Sequence, residues 1–259
     1  MTGVRSQLLI LCYHSVSDEW PEVAAVGPAT IERQVRHALR RGYVPVTLSE
    51  ALRADAPRRT LAVTFDDAFA SVLERGLPVL DGLGVPATLF VPTDYVTAAA
   101  PLAWASLGDW VGTPHEGELR PLTWDGVRRL FAAGWEIGSH TCSHPNLTSL
   151  TPAAVDEELV RSKRACEQAL QRPCATLAYP FGATSPTVRE AAARAGYAAA
   201  VTLGERLLEP RLRQDPLRLS RDGIYRTTGS LQFALLCSPL LGRLRAMASY
   251  RRAAGRAAR

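Results

Sequence analysis

Lysine is all but absent from this 259-residue chain: Lys163 is the only one, and every other basic side chain except the histidines is arginine. Paired cysteines are missing as well. Cys12, Cys142, Cys166, Cys174 and Cys237 are odd in number, widely spaced and form no C-x-x-C pair. That argues against a disulfide framework and a thiolate zinc site, and for reduced thiols. No apolar run approaches the ~20 residues of a membrane-spanning helix. The stretch Leu8–Cys12 is too short for a signal-peptide core and runs straight into Tyr13-His14-Ser15. A cytoplasmic protein without an export signal is the resulting expectation. No internal repeat or low-complexity linker divides the chain.

What is present fits one large folded domain: 47% hydrophobic and 21% charged residues exclude a disordered chain. The net charge of +5 invites an acidic partner, but its distribution argues otherwise. Six arginines (243, 245, 251, 252, 256 and 259) and no acid lie between Leu240 and Arg259, leaving 24 basic against 25 acidic residues elsewhere. A nearly neutral body predicts no nucleic-acid partner. Leu231, Leu235, Leu236, Leu240, Leu241 and Leu244 precede or intermix with the arginines. Peripheral contact of Leu240–Arg259 with an anionic membrane, on its inner face, and a solvated tail both remain open readings. The division expected is a catalytic domain over residues 1–226 and a C-terminal helix with an arginine-rich tail over 227–259.

Short apolar strands alternate with amphipathic helices, the pattern of a parallel α/β protein. Strands are expected at Leu8–Tyr13, Tyr43–Leu48, Leu61–Phe65, Ala87–Val91, Trp135–Gly138, Cys174–Ala178, Ala198–Leu203 and Pro216–Leu219. Helices are expected from Thr30 to Arg41, after Ser49, from Ala68 to Leu80, from Thr123 to Gly134, over Thr151–Gln171, over Pro186–Ala195 and from about Thr228. Pro92–Pro121 lacks periodicity and reads as a long loop, with Trp104, Trp110 and Trp124 in or beside it, suited either to core packing or to stacking on sugar rings. Polar residues gather just past the strand ends: His14, Asp66-Asp67, His140 and Tyr179-Pro180-Phe181. In (β/α) barrels that end carries the active site, so a barrel is preferred to an open sheet.

Adjacent carboxylates at the end of a buried strand repel one another unless a cation or hydrogen bonds offset the repulsion. An exposed turn capping the next helix would explain Asp66-Asp67 equally well. His140-Thr-Cys-Ser-His144 spaces two imidazoles so that both can reach one metal, and two histidines with one aspartate leave coordination positions open. Two surface histidines, with Cys142 a bystander, are the plainer alternative.

Together, Thr64-Phe-Asp-Asp67, Ser139-His-Thr-Cys-Ser-His144 and Ala178-Tyr-Pro-Phe-Gly182 resemble, in order and rough spacing, the motifs of the polysaccharide deacetylases, carbohydrate esterase family 4 or NodB-homology enzymes. The resemblance covers about Leu8 to Tyr225. Ile10-Leu-Cys-Tyr-His14-Ser-Val-Ser-Asp18 resembles the start of the poly-N-acetylglucosamine deacetylase branch, whose motifs are circularly permuted relative to chitin deacetylases. The resemblance implies a distorted seven-stranded (β/α) barrel and a metal-dependent hydrolase removing N-acetyl groups from an N-acetylhexosamine-containing glycan or glycoconjugate. It also implies one divalent metal, usually zinc, on Asp67, His140 and His144, with Asp66 the general base towards metal-bound water. His14 takes the general acid's place, the backbone N–H of Phe181 stabilises the oxyanion, and Thr141, Tyr179 and Pro180 support the site. Ala68 replaces the family's usual glycine, at what is expected to be a helix start. Ala178 stands where many members carry an arginine that pairs with the base, and Arg221 or Asp222 is the candidate replacement. An inactive glycan-binding barrel and an O-deacetylase of the same fold are the alternatives; oligomeric state is left open.

Overall fold

The computed structural model describes residues 7–98, 100–203 and 214–238, and the arginine-rich segment 240–259 lies outside these. No helix among the described residues is long and apolar enough to cross a membrane. The strands are β1 (Gln7–Tyr13), β2 (Val44–Pro45), β3 (Arg59–Phe65), β4 (Ala87–Val91), β5 (Glu136–Ser139), β6 (Thr176–Ala178), β7 (Ala199–Thr202), β8 (Leu219–Ser220) and β9 (Asp222–Gly223). The helices are α1 (Pro28–Arg40), α2 (Leu48–Ala51), α3 (Leu77–Asp81), α4 (Thr93–Ala98), α5 (Trp124–Ala132), α6 (Pro152–Leu170), α7 (Pro186–Arg194) and α8 (Ser230–Leu236).

The sheet is parallel and runs β8-β7-β6-β5-β4-β3-β1-β9. Its two end strands are consecutive in sequence, separated only by Arg221. Leu219-Ser220 pairs with β7 and Asp222-Gly223 with β1, so a five-residue segment closes the ring through the chain itself. Counting that segment once gives the expected distorted seven-stranded barrel. β2 stands outside the ring, pairing with β3 at Thr60 and Leu61 below the stretch that β4 takes at Val63–Phe65.

Alternation along each strand sorts the core into two clusters. Leu8, Ile10, Ala62, Phe90, Ala178, Ala199, Val201 and Leu219 fill the bore. Leu9, Leu11, Tyr13, Leu61, Val63, Phe65, Leu89 and Leu177 face outward onto the helices. A Cβ on Gly138 would stand 2.6 Å from both the Phe90 ring and Thr176 Oγ1, so Phe90 fills the bore only because β5 leaves room. The floor is plugged by α2, whose Leu48 and Ala51 join the bore cluster. Glu136 accepts there from Ser49 N (2.9 Å), Ser49 Oγ (2.6 Å), Thr88 Oγ1 (3.0 Å) and Thr176 Oγ1 (2.9 Å).

Several element boundaries differ from the expected ones for local reasons. α1 begins at Pro28 after an extended Gly27, because proline at the first helical position is preset for the helix; Thr30 lies inside it. Tyr43–Leu48 is a strand only at Val44–Pro45, since Thr47 starts α2 through a capping box with Glu50; Ser49 does not cap. The helix expected from about Ala68 begins instead at Ala70, because Asp67 and Ala68 both have positive φ (71° and 54°), and it runs through a π-helical turn over Val72–Gly76 into α3. The stretch 92–121 is not a bare loop: it holds α4 and two 3₁₀ turns, Ala105–Trp110 and Glu116–Leu119. Thr123 and Thr151 cap α5 and α6, the helices expected to start there.

Candidate metal centre and its surroundings

β3 delivers Asp66 in register, its amide still bonded to Tyr13 O at 3.0 Å. Asp66 shares the face of Thr64 and points into the bore, and the left-handed Asp67 then turns the second carboxylate to a different set of partners. Six non-glycine residues have positive φ among the described residues: Asp67, Ala68, Thr141, His144, Phe181 and Gln171. All but Gln171, which ends α6, belong to the three sequence motifs or directly follow one, as expected where function holds the backbone in sparsely populated conformations.

Asp66 meets Arg221 in a buried fork: Nη1 donates to Oδ1 at 2.7 Å and Nη2 to Oδ2 at 2.6 Å. Arg221 also donates from Nη1 to Thr64 Oγ1 (3.1 Å) and from Nε to Thr202 O (3.3 Å), and its guanidinium lies 5.5 Å from the Phe90 ring centroid. It enters the bore because Leu219 does so two residues earlier on the closing segment. Burial pushes the Asp66 carboxyl up, but the charge of Arg221, with His140 and the forked hydrogen bonds, outweighs it and holds the group well below the usual carboxylate range. The Cys12 thiol donates to Asp66 Oδ2 at 3.5 Å, and burial raises its own pKa well above the usual value.

Asp67, His140 and His144 form a buried triangle whose ligand atoms lie within 4.8 Å of one another. Asp67 Oδ1 stands 3.3 Å from His140 Nε2 and 3.4 Å from His144 Nε2, yet this buried oxygen has no hydrogen-bond partner. His140 Nδ1 is 2.8 Å from Ala178 O; a carbonyl only accepts, so Nδ1 carries the proton and turns Nε2 towards Asp67. Burial lowers His140's pKa, but Asp66 and Asp67 raise it further, so the net shift is upward. His144 goes the other way: burial, then the charge of His140, drive it down to about 3. A carboxylate oxygen facing two imidazole nitrogens without hydrogen-bond geometry fits a cation shared by all three, and one carboxylate with two imidazoles suits a divalent ion with coordination positions left open.

The remaining sequence-predicted residues surround this triangle. His14 follows β1; it forms a second group with Cys12 and Asp66, ligand atoms again within 4.8 Å, and its buried Nδ1 has no hydrogen-bond partner. Thr141 Oγ1 accepts the His144 N–H at 3.2 Å, so it holds the loop's backbone rather than a ring nitrogen. Tyr179 is buried and donates to Leu217 O at 3.0 Å, while Pro180 opens the 3₁₀ turn carrying Phe181. The Phe181 side chain is 52% exposed and 4.8 Å from the His144 ring, which places it at the mouth of the site.

Trp104 lies flat on His144, with ring centroids 3.9 Å apart. Trp110 packs edge-on against Trp20 and donates to Glu22; Trp124 donates to Thr97. Sequence reasoning missed the thiol contact to Asp66 and the part played by Glu158 of α6, which accepts the amides of Cys142 and Ser143. Glu158 is one of three successive acids, Asp156-Glu157-Glu158, and only the helix's orientation shows which one turns towards the site.

A family model described as polysaccharide deacetylase matches residues 53–200, more than half of the chain. The Bacillus subtilis protein YxkH is 27% identical over 206 residues, covering 78% of this chain and 66% of that protein. The chitooligosaccharide deacetylase of a Bradyrhizobium strain is 32% identical over 146 residues, 54% of each chain. The chain therefore spans about half to two thirds of the length of these curated relatives. In fold it is similar to the Streptococcus pyogenes deacetylase PplD in complex with acetate, with a TM-score of 0.75 over 91% of this chain and 100% of that one, at 22% identity. Matched over most of its barrel by the family that its three motifs resemble, this chain belongs to the polysaccharide deacetylase family.

Proposed function

We propose that this chain is a metal-dependent hydrolase that removes N-acetyl groups from an N-acetylhexosamine-containing glycan or glycoconjugate. One observation carries the reading: two adjacent buried carboxylates have unlike partners, Asp66 gripped by Arg221 and Asp67 facing two imidazoles with no hydrogen bond to its Oδ1. That is the division of labour expected of a proton acceptor beside a metal ligand. Asp67, His140 and His144 would hold one divalent cation, zinc by the character of the donors. Bound there, such an ion supplies Lewis-acid polarisation of an acyl carbonyl and brings the pKa of water down towards ~7.

The protein's own residues supply the rest. Arg221 keeps Asp66 ionised and fixes its plane. Oδ1 takes one side-chain hydrogen bond where Oδ2 takes two, so Oδ1 is the atom with a lone pair free for a proton. His14, its nitrogen within 4.8 Å of that carboxylate, would return a proton to the departing amine. The left-handed backbone at Phe181 (φ 59°) sets the direction of the N–H proposed for the oxyanion. Gly182 makes that turn possible, since a Cβ there would stand 2.2 Å from Leu203 O.

The test is acetate release from N-acetylglucosamine oligomers and from an O-acetylated sugar, with and without chelator. Release from the amide substrate that stops on chelation and returns with zinc is the expected result, with a ~10²–10⁴-fold loss in Asp66→Asn. Undiminished release under chelation, or full activity in Asp66→Asn, overturns the reading. Release from the ester alone would reassign the bond cleaved.

A further inference from the structure

We propose that Glu158 is a positioning residue for the metal centre, holding the segment between His140 and His144 in the conformation that brings both imidazoles to Asp67. This rests on the reading of Asp67, His140 and His144 as metal ligands. Oε2 accepts the backbone N–H groups of Cys142 (2.8 Å) and Ser143 (3.1 Å), and Oε1 accepts the Ser143 hydroxyl at 2.7 Å. Successive amides converging on one oxygen form an anion-binding concavity, here filled by the protein's own carboxylate.

The segment needs such an anchor because residues on both sides of the two amides are strained: φ is 66° at Thr141 and 58° at His144. Left-handed conformations are unfavourable for side chains with a Cβ, so the loop relaxes unless its surroundings hold it. Ser139 Oγ takes the Thr141 amide and Thr141 Oγ1 takes that of His144. The amides of Thr93 and Asp94, in the first turn of α4, take the carbonyls of Thr141 and Cys142. Every amide from Thr141 to His144 is thus bonded to a side-chain oxygen, and Glu158 is the one carboxylate among these. Ser139 ends β5 and Thr141 lies in the loop itself, so Glu158 is the one that ties α6 to the metal centre.

The experiment measures zinc affinity by competition with a chromophoric chelator, together with amide hydrogen exchange at Cys142 and Ser143 in metal-free protein. It compares the wild type with Glu158→Ala, Glu158→Gln, Ser143→Ala and His144→Ala. Glu158→Ala should lower zinc affinity ~10–100-fold, the range for partners that orient metal ligands, and speed exchange at both amides. Glu158→Gln keeps an acceptor oxygen and should recover most of the affinity; Ser143→Ala, which loses only the hydroxyl contact, should stay near wild type. If Glu158→Ala binds zinc like the wild type while His144→Ala does not, positioning by Glu158 is overturned and the metal site stands. If wild type and His144→Ala take up zinc alike, both readings fall. Slow exchange at the two amides in Glu158→Ala also counts against the proposal, whatever the affinity, and is read directly even if that variant is less stable.

Discussion

The buried pair of Arg221 and Asp66 bears on both the stability of the fold and the chemistry proposed for it. Removing one partner of a buried, forked pair strands the other charge, at a cost of about 3–5 kcal/mol. Arg221→Met should therefore lower the melting temperature markedly as well as abolish turnover. The sign with pH follows from the depressed carboxyl. The pair's contribution is complete above the unfolded aspartate value of ~3.9 and is lost as pH falls from there towards the lower folded value. The stability gap between wild type and Arg221→Met, followed by denaturant titration from pH 6 to pH 3, should narrow; a constant gap would show that Asp66 is not held low. His14 makes a different prediction, because an acid matters only when the leaving group needs a proton. In His14→Ala, turnover of an N-acetyl substrate should drop ~10²–10⁴-fold, whereas an aryl acetate, whose phenolate leaves unaided, should be cleaved nearly as fast as by wild type. Equal losses on both substrates would assign His14 another task.

At the scale of elements, the two ends of the barrel divide the work, as parallel barrels generally do. Glu136, at the start of β5, ties α2, β4 and β6 together at the floor, far along the bore from Asp66. Glu136→Ala leaves those donors unmatched and should destabilise by several kcal/mol, since each stranded buried group costs roughly 1–3. Its kcat, measured below the melting transition, should stay within about twofold of wild type. Gly138→Ala, whose Cβ collides with Phe90, should be destabilised and partly restored by Phe90→Leu, a coupling that a double-mutant cycle reads directly. Elements also differ in how legible they are in the amino-acid sequence. β3 and β4 are plain because a strand buried on both faces is a nearly continuous apolar run, broken over Leu61–Phe65 and Ala87–Val91 by one threonine each, and in β3 the aspartates that follow mark the mouth. The short helices of 92–121 escape notice because a helix of six residues or fewer is too short to show a period. The turn at Ala68 is hidden because positive φ leaves no mark on a residue whose type does not demand it. Arg221 is legible only as a candidate, since β8 and β9 have two residues each and no pattern that fixes which way its side chain points.

For the whole molecule, neither of the two core clusters includes Asp67, His140 or His144, so the fold is expected to stand without a bound metal. Metal-free protein should keep its far-ultraviolet circular dichroism, and zinc should raise the melting temperature with concentration, as a ligand of the native state does. Loss of fold on chelation would make the metal structural. The charge of the chain divides as its sequence does, with an almost neutral body and six arginines beyond residue 240. Leu231 and Leu235, 77% and 49% exposed, lie on the helix that precedes them. If that end of the chain meets anionic lipid, sedimentation with phosphatidylglycerol vesicles should weaken as salt rises and vanish in a chain ending at Ser238; equal sedimentation of both chains discards the idea. The closing segment has a consequence for biosynthesis. A ribosome completes every other proposed site residue, from His14 to Phe181, before it reaches Arg221, and the arginine enters the bore only when its flanking residues join the first strand to the last. A nascent or truncated chain that stops short of Arg221 therefore leaves Asp66 without its cation, and on the mechanism proposed above it gains catalytic competence only when the ring is sealed.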